Sequence, residues 1–144
     1  MKFFVINGPN LNMLGIREPA IYGSTTYADL VRLVEQAAKE LQVEVEILQS
    51  NHEGTLVDEI QRAYYEADGI VINPAAYTHT SVAVLDALKA VALPAVEIHI
   101  SNVKEREDFR QISYAGQACF HTVMGEGIEG YRMRVLKEKL TQQS

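Results

Sequence analysis

Cysteine is all but missing from this chain: Cys119 is the single thiol among 144 residues. No internal disulfide can form, so a reducing compartment is expected, and the length suffices for one domain, residues 1–144, to fold without covalent staples. Positive charge is scarce as well. Thirteen Lys and Arg stand against nineteen Asp and Glu, the formal net charge is −6, and no basic cluster interrupts that balance. This argues against nucleic acid or an anionic membrane as the main partner, while leaving room for a small anion held by a few cations and backbone amides. Long apolar runs are also absent. Phe3-Phe4-Val5-Ile6 is cut off by Asn7-Gly8-Pro9-Asn10, too short for a signal peptide or a membrane span, and a cytoplasmic protein is the simplest reading.

The usual cofactor signatures are missing too. No GxxxxGK[ST] phosphate loop occurs, and no Ser/Thr-rich loop follows the first apolar run to hold a flavin phosphate. His52, His79, His99 and His121 have no metal-site spacing to acids or to Cys119, so no metal is expected. No lysine ends a strand-like run; Lys104, in a polar loop, is the nearest. Gly125-Glu126-Gly127-Ile128-Glu129-Gly130 matches GxGxxG but is followed by only 14 residues. It lacks the strand and distant acid of a dinucleotide fingerprint, and its two glutamates would repel pyrophosphate. It reads as tight strand-to-helix packing.

What is present is a regular alternation. Residues 2–6 are strand-like, and Tyr27, Leu30, Val31, Val34, Ala38 and Leu41 have helix spacing over 27–41. Val43 to Leu48 alternates with Glu44 and Glu46 as an outer strand would, and Ser50 with Glu53 has capping-box spacing ahead of a helix faced by Leu56, Val57, Ile60 and Tyr64. Ile70–Ile72 is a third strand, Val82, Leu85 and Leu88 mark a third helix, and Pro94 opens a fourth strand over 95–100. Ala118 to Met124 reads as a fifth strand, and Ile128 to about Leu140 as a last helix. Repeated βα units imply right-handed crossovers and a parallel sheet covered on both faces. The fold class is therefore α/β, a flavodoxin-like, doubly wound five-stranded parallel sheet. Residues 7–25 show no clear element, and loops of that length are usually functional or disordered; a lid over the sheet edge is the expectation.

Three apolar runs end on polar side chains: Asn7, Asn73 and His99. As parallel strands they gather these groups at the carboxyl edge, where open α/β sheets bind ligands. Residues 73–81, Asn-Pro-Ala-Ala-Tyr-Thr-His-Thr-Ser, form the densest polar cluster. Thr78 or Thr80 could cap the helix that follows, although an ordinary turn with His79 on the surface accounts for the segment equally well. Glu97 and His99 share one face of a strand that should be buried, so each needs a partner or a purpose. A structural Glu–His hydrogen bond is one reading. At a strand end the preferred one makes His99 a proton donor, with Glu97 fixing its tautomer. Arg17 and Tyr22 lie five residues apart in the long loop. A cation ~5 Å from a phenol contributes roughly 3 kcal/mol at an effective dielectric of ~20, enough to bring tyrosinate near neutrality. On those residues alone a solvated Arg and a packed Tyr explain the segment better. Cys119 is expected in the packing of the fifth strand.

Together these segments resemble the type II 3-dehydroquinate dehydratases. The resemblance rests on Asn7-Gly8-Pro9-Asn10-Leu11-Asn12, Leu14-Gly15, Arg17-Glu18-Pro19, Tyr22-Gly23, residues 49–54 (QSNHEG), residues 73–81, Glu97-Ile98-His99-Ile100-Ser101-Asn102, Arg106-Glu107, Phe109-Arg110 and Gly127 to Tyr131. Lys104, where many members have histidine, and His121 depart from the pattern. The resemblance implies a cofactor-independent, metal-free trans elimination of water from 3-dehydroquinate to 3-dehydroshikimate through an enolate, in the shikimate pathway of aromatic amino acid biosynthesis. It makes Tyr22 the base, Arg17 its stabiliser, His99 the acid, and Asn10 the holder of a water on the enolate. It places Asn73 and the amides of Ile100 and Ser101 on the substrate carboxylate, with His79 and Arg110 on ring hydroxyls. It also implies a homododecamer built from trimers, in which Asp86 reaches a neighbouring subunit's site. The alternative is a non-catalytic flavodoxin-like module that binds an acidic metabolite.

Overall fold

Five parallel strands run in the order β2-β1-β3-β4-β5, with β1 spanning Lys2–Asn7, β2 Glu44–Gln49, β3 Gly69–Asn73, β4 Ala95–His99 and β5 His121–Met124. The computed structural model describes residues 1–16, 20 and 24–142; Arg17 and Tyr22 lie outside them. Helices α1 (Tyr27–Leu41), α2 (Glu53–Glu66) and α3 (Val82–Val91) link the first four strands, 3-10 turns lead from β4 to β5, and α4 (Arg134–Gln142) follows β5. This is the flavodoxin-like strand order, in which winding reverses between β1 and β3 and leaves a crevice at their carboxyl ends.

The strands are apolar because both faces are covered, and their two-residue period divides the core. Phe3, Val5, Val71, Val96 and Ile98 pack with Leu30 and Val34 of α1 and Leu136 of α4. Phe4, Ile6, Ile70 and Ile72 point the other way, onto Leu56 and Ile60 of α2 and Val84 and Leu88 of α3. Each such buried side chain contributes about 1.5–3 kcal/mol relative to exposure. The edge strand β2 is only half-buried. There Glu46 pairs with Arg62 at 3.0 Å, and the Arg62 guanidinium lies 4.5 Å over the Phe4 ring. Among the described residues no helix is long and apolar enough to cross a membrane.

Several local expectations need correction. Helix α1 starts with a capping box, Thr26 with Asp29, whereas α2 begins after His52 with no side-chain cap. The Ser50 hydroxyl instead accepts from the His52 amide at 3.0 Å, because the Ser50 amide is still tied to the Asn7 carbonyl at the strand crest. Helix α3 is capped by Ser81, whose hydroxyl accepts from the Val84 amide at 2.9 Å. Neither Thr78 nor Thr80 does this. Thr78 belongs to a 3-10 turn over Ala75–His79, and its buried hydroxyl has no partner among the described residues. Strand β5 is shorter than expected because Ala115–Ala118 is a separate 3-10 turn; Cys119 follows that turn and packs on the α2/α3 side. The last helix is split, since Gly127–Tyr131 forms a 3-10 turn before α4. Tight packing holds for Gly130, where a Cβ would stand 3.1 Å from Val123 Cγ1, and for Gly125, 3.3 Å from Asn102 Cβ, whereas Gly127 has open space and serves its positive φ of 60° instead. The long loop also holds a 3-10 turn, Leu11–Met13, and buries Leu11 and Leu14 in the α1/α4 core.

Gly8 sits where β1 leaves the sheet, and its amide donates to the Asn73 carbonyl at 2.8 Å. A Cβ there would stand 2.4 Å from the Pro74 carbonyl oxygen, a backbone collision that no rotamer relieves. Gly8→Ala is expected to cost about 1–3 kcal/mol of stability, read as a lower urea midpoint at unchanged slope. An unshifted midpoint would show that the crest tolerates separation.

Candidate active site

The strand ends deliver what their sequence promised. Asn7 and Asn73 are direct register partners across β1 and β3, and both are buried. Between them stands the Tyr131 hydroxyl, which donates to Asn7 Oδ1 at 2.7 Å and accepts from Asn73 Nδ2 at 2.8 Å. Burial, offset in part by Asn73, pushes the Tyr131 phenol far above its ordinary range, so it stays a donor. The Asn73 carboxamide is held at its other end as well, with Oδ1 accepting from the Ala75 amide at 3.0 Å. One Asn73 N–H is left uncommitted by these bonds. The sequence reading placed Tyr131 in a family motif but gave it no role.

One strand over, Glu97 is 2% exposed and lies 3.0 Å from His99 Nε2. Thr122 Oγ1 donates to its Oε1 at 2.9 Å, and the Ser113 hydroxyl donates to its Oε2. Burial alone would raise the Glu97 carboxyl; the hydrogen bonds and charge of His99, then Ser113 and Thr122, outweigh it and hold Glu97 below the usual carboxylate value. Glu97 is therefore an anion at neutral pH, and His99 is held with Nε2–H toward it. His79 bonds the Ile112 carbonyl through Nδ1 at 2.8 Å. Burial, with smaller contributions from the charges of His99 and Arg110, lowers its pKa, so His79 is neutral and its Nε2 is the acceptor.

These groups meet at one cleft, enclosing about 610 Å³ with its open mouth included. Asn10, Asn73, His79, His99, Ile100, Ser101 and Arg110 all line it. Asn10 takes a left-handed conformation (φ 69°), which asparagine tolerates, and its amide donates to Asn51 Oδ1 at 3.0 Å. The carbonyls of Ile100 and Ser101 accept from the amides of Gly127 and Gly125 at 3.1 and 3.2 Å, which fixes their backbone at the wall. Arg110 is braced by an ion pair to Glu107 and lies 5.1 Å over the Phe109 ring. Asp86 is exposed on α3 and does not line this cleft. Arg17 and Tyr22 fall outside the described residues. Arg106 also lines the cleft; the sequence reading quoted it in a motif without assigning it to the site.

The described lining holds two arginines and two histidines and no carboxylate, inside a chain of net charge −6. That distribution selects for an anion. No described tyrosine lines the cleft, and burial raises both Tyr27 and Tyr131. Burial and then Glu97 push the Cys119 thiol up to about 12, which excludes it as a nucleophile near neutrality.

Fold and site thus define a doubly wound α/β protein whose anion-selective cleft lies at the carboxyl edge of the sheet, with Asn73 beside the topological switch point and, one strand over, His99 backed by the buried Glu97. The chain belongs to the class II dehydroquinase family, whose model, Dehydroquinase class II, matches residues 1–138. It is 53% identical over 142 residues to the 3-dehydroquinate dehydratase of Caldicellulosiruptor bescii, covering 96% of this chain and 98% of that one. It is 51% identical over 136 residues to the enzyme of the same name from Endomicrobium trichonymphae, covering 94% and 95%. The crystal structure of type II dehydroquinase from Butyrivibrio crossotus superposes with a TM-score of 0.92 at 51% identity, over 98% of this chain and 97% of that one. The family is one of hydro-lyases, and this chain is an enzyme of that class.

Tyr131→Phe removes one hydroxyl and strands two buried amides, which is expected to cost about 1–3 kcal/mol. A urea midpoint equal to wild type would show that Asn7 and Asn73 find other partners.

Proposed function

We propose that the chain dehydrates 3-dehydroquinate to 3-dehydroshikimate by trans elimination through an enolate, as a step of the shikimate pathway. The observation that carries this reading is the cleft itself, cationic, free of carboxylates among its described lining, and flanked by an imidazole whose partner is a buried carboxylate. The substrate is a hydroxylated ring acid. Its carboxylate would take the uncommitted Asn73 N–H and the amides of Ile100 and Ser101, and its ring hydroxyls would meet His79 and Arg110.

Tyr22, as phenolate beside Arg17, removes a proton next to the ketone, and the electron pair moves onto the ketone oxygen. An ordered water held at Asn10 would stabilise that enolate. The enolate then collapses and expels the hydroxyl, which departs as water because His99 gives it a proton. With Nε2–H committed to Glu97, the acid on this reading is the imidazolium, and its Nδ1–H is the proton that is donated. The proton taken by Tyr22 returns to solvent and His99 takes one back from solvent, so bonds, protons and charges balance over a turnover without a cofactor. Asp86, exposed on α3, would complete a neighbouring subunit's site in a dodecamer built from four trimers.

The test is to mix purified protein with 3-dehydroquinate and follow the ultraviolet absorbance of the conjugated product. Tyr22→Phe should abolish turnover while retaining substrate binding, and His99→Ala should lower the rate on the order of 10²-fold or more. Arg17 lowers the Tyr22 pKa on this reading, so Arg17→Ala should move the rising limb of the pH–rate profile to higher pH. Binding by wild type without turnover would leave only the metabolite-binding module. Near-normal rates in Tyr22→Phe would remove that residue as the base.

A further inference from the structure

Glu97 is buried more deeply than any reacting group needs to be, and its surroundings are more specific than charge balance requires. Three side chains from three parts of the chain converge on its two oxygens. His99 comes from the same strand, Thr122 is its register partner on β5, and Ser113 comes from the loop before the Ala115–Ala118 turn. The Ser113 hydroxyl is itself oriented, since it accepts from the Gly116 amide at 2.9 Å and its own proton is thereby directed at Glu97. Gly116 has a second duty. A Cβ on it would stand 2.8 Å from Glu97 Oε1 and 2.8 Å from Ser113 Oγ, so the carboxylate occupies space that any other residue would fill.

We propose that Ser113 and Thr122 are positioning residues of the reaction, fixing the Glu97 carboxylate against the bare Gly116 backbone and, through it, the ring orientation and tautomer of His99. The inference rests on the reading of His99 as the proton donor. Each oxygen of Glu97 has one hydroxyl donor, so the carboxylate plane cannot turn without losing one of them. With that plane fixed, Oε2 presents one direction to His99 Nε2, and the imidazole can keep only the orientation that leaves Nδ1 for the departing hydroxyl. Without the hydroxyls the carboxylate is free to rotate or to take the proton from His99, and either change removes the acid from its place. Neither side chain lines the cleft that holds Asn73, His79 and Arg110, so substrate affinity should be spared.

The experiment compares Thr122→Val, Thr122→Ser and the double variant Ser113→Ala/Thr122→Val, each by steady-state kinetics with 3-dehydroquinate and by 15N imidazole spectra of the ligand-free protein. Thr122 lies on an exposed edge strand, so its single variants keep the fold. Thr122→Val should lower kcat about tenfold and the double variant further, with KM within about threefold of wild type. The His99 resonances should lose their Nε2–H signature in parallel, and Thr122→Ser should restore both. A kcat within twofold of wild type in the double variant overturns the proposal, as does a fall in kcat with the His99 spectrum unchanged. Should wild type leave 3-dehydroquinate intact, the reaction assignment fails, and the spectra of the free protein still decide whether Ser113 and Thr122 set the His99 tautomer.

Discussion

A single buried hydroxyl bridges the side chains that end β1 and β3, where the two halves of the sheet meet. Tyr131 reaches Asn7 across 124 positions of sequence and Asn73 across 58, at the point where winding reverses. The switch point is a gap by construction, because the chain leaves β1 to one side and β3 to the other. Two buried carboxamides facing that gap would each lose bonds to water, at about 1–3 kcal/mol per unsatisfied group. The phenol satisfies both at once, one as acceptor and one as donor, and so sets which way each amide points. Both the crest of the sheet and the uncommitted N–H of Asn73 depend on it.

The electrostatics follow a comparable division. A net charge of −6 would repel an acidic ligand, so cations must gather locally, and Arg106 and Arg110 do so at the mouth. Glu97, the carboxylate paired with His99 among the described residues, is set outside the cleft lining. There its charge acts on the imidazole at 3.0 Å while the imidazole stands between it and the ligand. A carboxylate at the wall would have served the histidine equally well and opposed the substrate. Placing it within the strand requires neutralising donors, and Ser113, Thr122 and His99 supply them.

Much of this was legible because strand and helix periods differ so plainly. The span 27–41 matches α1, and the alternation from Val43 correctly marks an outer strand. The polar terminators gather at the carboxyl edge as expected of parallel strands, where Asn73 and His99 line the cleft and Asn7 accepts from the Tyr131 hydroxyl. What escaped were contacts that no local pattern encodes. Ser113, Thr122 and Tyr131 act across 16, 25 and as many as 124 positions, and a serine in a loop or a threonine on an edge strand looks like ordinary surface. Caps were misread for a related reason: Ser50 and Thr78 have suitable chemistry, but the first is held by the strand crest and the second by a 3-10 turn. Glycine carried more than its spacing disclosed, since Gly116 makes room for a carboxylate and Gly130 for Val123.

The proposed reaction also explains why its acid and base should come from such different parts of the chain. A trans elimination needs proton removal on one face of the ring and proton delivery on the other. A parallel sheet edge can supply only one of these, because its strand ends all approach the ligand from below. His99, at the end of β4 and locked by Glu97, is the group a rigid edge can provide. The opposite face needs a group from outside the strand ends, and the proposed base follows Leu14, which itself lines the cleft. Gly15, at φ +88° and with Thr26 and Ser24 within 3.1–3.2 Å of where a Cβ would be, lets the chain turn there as few other residues could. The acid must be in place before the substrate arrives, since nothing that arrives with the substrate can reorient a buried imidazole, and the hydroxyl shell around Glu97 meets that demand.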